Sequence, residues 1–63
     1  MEALYRRRMS GALSNFVVLM AASMRSMANY DAGNAFRFMQ WAESELEVAK
    51  DYAAEIRAMS DVA

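Results

Sequence analysis

Four carboxylates, Glu43, Glu47, Asp51 and Glu55, follow one another at four-residue spacing, which on a helix stacks them along one face. Such a row could hold a divalent metal, or it could dock a basic partner. The metal reading needs the Glu-x-x-His pattern of carboxylate-bridged helical bundles, and the chain contains no His. A solvated face is the simpler expectation, with Lys50 placed to relieve the repulsion and no metal bound. The second charged feature is Arg6, Arg7 and Arg8. Three consecutive guanidinium groups suit phosphate or an acidic partner, although one helix end so charged is also an ordinary solubilising terminus. Nucleophilic and acid–base chemistry find no support: there is no Cys and no His, and the lone Ser and Tyr residues lack an activating base. We expect no enzyme and no cofactor.

The elements that carry these groups follow from composition. At 63 residues the chain is one small domain, without Cys to staple it and without Pro to break a helix. The punctuation lies at Asn29-Tyr30-Asp31-Ala32-Gly33-Asn34. Here Gly33 could take the left-handed conformation that ends a helix, and Asp31 or Asn34 could cap the next one. The expected fold is all-α: an antiparallel helical hairpin, with helix 1 over about 3–30, a turn at about 31–33 and helix 2 over about 34–60. Its halves carry opposite charge, +3 over residues 1–30 and −3 over residues 34–63 (Asp61 included), as suits two helices side by side. Glu2 to Arg8 resembles the basic start of a signal peptide. Ser10, Gly11, Ser14, Asn15 and Ser23 interrupt the apolar run that follows, so no membrane span and a cytoplasmic protein are expected.

Helix 2 has a heptad seam. Ala35, Ala42, Ala49 and Ile56 form one line, with Met39, Leu46, Ala53 and Ser60 as the other. Phe38, Tyr52 and Met59 lie beside it, and Trp41 and Val48 beyond. Helix 1 offers Met9, Leu13, Phe16, Met20, Met24 and Met27 as one face, while Val17, Val18, Leu19, Ala21 and Ala22 fill most other directions. A helix apolar all round is buried all round, and one partner helix cannot surround it. A homodimeric four-helix bundle is the simplest cover. Its expected core is Leu13, Phe16, Val17, Met20, Met24, Ala42, Leu46, Ala49, Ala53 and Ile56.

Near the turn, Tyr30, Phe36, Phe38 and Trp41, with Val48 beyond, are the candidates for contact with a different protein, since aromatic side chains anchor interfaces. The short hairpin, its Asp31-Ala32-Gly33 turn and the alternation of Ala42 with Leu46 resemble the repressor-of-primer (Rop) type of protein in architecture. That resemblance implies a dimeric four-helix bundle, and in that family basic residues of helix 1 around an aromatic bind paired RNA loops. This chain departs from the pattern: the middle of its helix 1 is apolar, and Arg25 is the one arginine of its later half. The leading expectation is therefore a self-associating regulator, inhibitor or adaptor that binds a partner protein, of the kind phages and mobile elements encode. Nucleic-acid binding through Arg6, Arg7 and Arg8, and a purely structural self-assembling bundle, are the alternatives.

Overall fold

The computed structural model describes residues 2–62, with side chains described over 2–60. Two helices pack against each other, α1 over Glu2–Ala28 and α2 over Ala32–Val62. The turn is as short as expected but lies two residues earlier, at 29–31, and is built differently. Tyr30 donates its N–H to the Met27 carbonyl at 3.0 Å, and Asp31 to the Ser26 carbonyl at 2.8 Å. Together they make the paired closing bonds of a Schellman motif. Its left-handed position is held by Tyr30, with φ of 60°, and not by Gly33, which lies in the first turn of α2 without a positive φ. Asp31 then caps α2: its Oδ1 accepts from the Asn34 N–H at 3.2 Å and its carbonyl from the Ala35 N–H at 3.0 Å. Asp31, not Asn34, is the cap.

Two contacts set the register between the helices. The rings of Tyr5 and Tyr52 lie 5.6 Å apart near the open end. Near the turn, the buried Ser23 donates Oγ–H to the Ala35 carbonyl at 2.9 Å. Continued between these points, that register brings Phe16 level with Ala42, Met9 with Ala49, Leu19 with Phe38 and Ala12 with Glu45. Along the alanine line large residues stand opposite small ones, Phe16 at Ala42 and Met9 at Ala49, which lets the axes approach closely.

On each helix one of the two seam lines lies one residue away from the expected one. The alanine line holds: Ala35, Ala42 and Ala49 are buried. Its companion line is Phe38, Glu45, Tyr52 and Met59, all half-buried, whereas Met39, Ala53 and Ser60 are exposed and Leu46 is half-buried. On α1 the inward line is Tyr5, Met9, Ala12, Phe16, Leu19, Ser23 and Ser26. Leu13, Val17 and Met24 are exposed, and Met20 is half-buried. Among the described residues the hydrophobic core consists of Ala12, Leu19, Ala35, Ala42 and Ala49, and no large side chain is fully buried. The molecule measures 51 × 14 × 11 Å, with a radius of gyration of 14.6 Å. A compact domain of this length would have roughly 11 Å. Among the described residues, no helix is long and apolar enough to cross a membrane.

Candidate interaction surfaces

At 3.6 residues per turn, side chains beside the seam fall on one or other side of the plane through the two helix axes. On one side α1 contributes Leu13, Val17, Met20 and Met24, and α2 contributes Met39, Leu46 and Ala53. We call this the methionine flank. A shallow apolar groove lined by Met9, Ser10, Leu13, Ser14, Val17 and Val18 runs over the back of α1 beside it. Val17 is 63% exposed and Met24 is 70% exposed. Most of the expected core therefore stands here, outside the hairpin's own interior. Phe16, Ala42, Ala49 and Ile56 are the members that face the other helix of the same hairpin.

The opposite side carries Asn15 and Val18 from α1 with Trp41, Glu45 and Val48 from α2, the tryptophan flank. A groove of about 230 Å³ gathers Asn15, Val18, Leu19, Trp41 and Glu45 into one site. Trp41 is 58% exposed there. Of the expected aromatic cluster, only Trp41 belongs to this flank. Phe38 turns into the seam. Phe36 is exposed on the outer side of α2, toward the methionine flank, and Tyr30 stands in solvent at the tip of the turn. The four are dispersed because the turn sets α2 at a phase that separates them. Val48 remains with Trp41, one helical repeat along.

The charged candidates lie outside both flanks or at their ends. Arg6 pairs with Glu2 at 2.9 Å, an exposed contact one turn apart, and Arg7 and Arg8 are exposed. Arg8 borders a groove with Tyr5, Asp51, Tyr52 and Glu55. Asp61, counted above as an acid near this end, lies outside the described side chains. The acidic row winds over the solvent side of α2, where Lys50 approaches Glu47 at 3.5 Å. Among the described residues no three acidic side chains converge as metal ligands would.

Asn15, Val18 and Glu45 were not singled out by sequence as site residues. Glu45 had a signal: it lies one turn after Trp41, so a carboxylate and an indole share one edge of α2. Ser23 had none, because its value lies in reaching a carbonyl of the other helix. No protein-family model, curated protein or solved structure matches this chain.

Proposed function

We propose that the chain is a self-associating helical hairpin whose methionine flank meets a second copy, and which then acts by binding a partner protein as a regulator, inhibitor or adaptor, without chemistry of its own. The observation that carries this reading is the unpartnered methionine flank. Leu13, Val17, Met24, Met27, Phe36 and Met39 are each 38–70% exposed on this side or bordering it. At roughly 150–200 Å² per large apolar side chain, that is about 600 Å² on one protomer. A standard interface takes about 800 Å² from each partner. The whole-molecule surface supports the same figure. The hairpin exposes 4885 Å². A compact monomer of this size would expose roughly 4,100 Å². The excess is about one partner's share of a standard interface. A second hairpin laid on this flank completes a four-helix bundle and gives the large side chains the burial that one hairpin denies them.

Partner binding rests on the flank that such pairing leaves free. Trp41 remains accessible there, in a groove with polar groups at its edge, with Val48 exposed farther along, which is the composition of an intermittent interface. Sedimentation equilibrium of the intact chain at micromolar concentration tests the self-association. The expected result is about twice the chain mass. A folded monomer at micromolar concentration would overturn the reading.

A further inference from the structure

Resting on that docking reading, we infer that the groove between Trp41 and Glu45 takes an arginine side chain from a basic segment of the partner protein. Glu45 occupies a seam position whose neighbours along the line are Phe38 and Tyr52, so an apolar residue would be the ordinary occupant. It is half-buried, and among the described residues no cation lies within ion-pair distance of it and no hydrogen bond reaches it. Small residues keep it reachable. Ala12 stands level with it on α1, and beside Ala12 the space where Gly11 would carry a Cβ has no atom within 4 Å. A carboxylate at a seam position, in contact with water but with no cation or donor of its own among the described residues, can accept an incoming guanidinium.

The surroundings select arginine. The exposed indole of Trp41 offers a flat face for a guanidinium plane. Glu45, at the end of the same groove, accepts its forked N–H groups, and Asn15 supplies a further carbonyl acceptor. A lysine ammonium would use the carboxylate but gain less from the indole. Farther along, toward the open end of the hairpin, Asp51 and Glu55 share a groove with Arg8. Arg37 lies one turn on the other side of Trp41, so the incoming cation is directed toward Glu45. A nucleic-acid phosphate would meet the Glu45 carboxylate in this groove, which disfavours it there.

Trp41 is the one tryptophan of the chain and reports on its own site. The intact protein is titrated with three 14-residue amphipathic Leu/Ala peptides that carry Arg, Lys or citrulline at the same positions, with Trp41 emission and calorimetry as readouts. The arginine peptide should bind at least ten-fold more tightly than the citrulline peptide. Glu45→Gln should remove most of that preference, while Glu43→Gln, on the outer side of α2, should leave it. Trp41→Leu, followed by calorimetry, should weaken all three peptides. Equal binding of the three peptides overturns the arginine site and leaves the docking reading standing. Unchanged binding of all three to Trp41→Leu overturns docking on this flank, and with it the arginine site. Absence of binding by every peptide overturns both. A fall in sedimentation mass for Glu45→Gln would assign the groove to the homotypic contact and overturn the proposal.

Discussion

The two flanks of the hairpin are made from the same two helices, yet they differ in kind. The methionine flank runs from Leu13 to Met24 on α1 with few polar interruptions and is bordered by flexible side chains that repack easily. On the tryptophan flank, apolar groups are isolated by Asn15, Glu45 and Arg37, and one rigid indole carries most of the contact area. A surface that is always covered tolerates continuous apolar area; a surface that must stay soluble between encounters concentrates it in one anchor rimmed by polar groups. The difference fits the proposed division of labour, in which the first flank serves assembly and the second recognition.

The most drastic way to break this comparison is to charge both sides equally. Val17→Asp combined with Met24→Asp places carboxylates that a lone hairpin would leave in water. In a dimer it buries them unpaired, at about 3–5 kcal/mol. Sedimentation should fall from twice the chain mass to once, with loss of helicity, whereas Asn15→Asp combined with Val48→Asp, on the tryptophan flank, should leave the mass unchanged. If both variants behave alike, the flanks are not distinct.

Next in size are substitutions in the seam, which both flanks share. Ala42 is 0% exposed and stands level with Phe16. Ala42→Leu should overpack the crossing and cost about 1–3 kcal/mol, and Ala49→Leu should act similarly because Met9 stands level with it. An unchanged thermal midpoint for both would refute the register. Trp41→Ala should lower affinity for the arginine peptide by about 2 kcal/mol while keeping the dimer mass. Reversing the charge of Arg6, Arg7 and Arg8 should cost much less by the same titration. A loss of binding in the arginine variants, with Trp41→Ala unaffected, would transfer recognition to the N-terminal cluster.

The smallest expected effect has the opposite sign. Tyr30 holds a left-handed conformation while its side chain is 97% exposed. Tyr30→Gly should relieve about 1–2 kcal/mol of left-handed strain, partly offset by about 0.4–1 kcal/mol of added unfolded-chain entropy, leaving a slightly raised thermal midpoint. A lowered midpoint would mean that the Tyr30 ring makes a contact worth more than the strain.

The pairing of two helices about one turn was legible because Pro-free, helix-favouring sequence surrounds a single polar hexapeptide. The alanine line of α2 was legible too, since Ala35, Ala42 and Ala49 have no other reason to recur every seven residues. Its companion line was not. Met39, Leu46 and Ala53 step from the alanines as regularly as Phe38, Glu45 and Tyr52 do. On so wide an apolar arc, hydrophobicity favours the first set, yet the partner's phase decides for the second. On α1 the same bias pointed to Leu13, Met20 and Met24, while close approach required Ala12 and Ser23, whose Oγ–H satisfies a carbonyl across the seam. The pattern gave the residues that must be covered; it could not say by which neighbour. The aromatic cluster failed for a related reason: nearness to the turn in sequence places residues at one end of a rod but says nothing about their azimuth.

Asp31 belongs to both helices at once, its N–H closing α1 and its carboxylate opening α2. Surface loops ordinarily tolerate added or lost residues, and this one has no such latitude. One residue inserted before Ala32 would advance α2 by about 100° relative to α1. Trp41 and Val48 would then occupy the places of Ala42 and Ala49, where a bulky side chain cannot fit between crossing helices. One residue removed would bring Glu43 and Lys50 there instead. As long as Asp31 keeps both roles, a shift in turn length would carry one flank into the seam in a single step, whereas a substitution elsewhere in the turn leaves the two helices in phase.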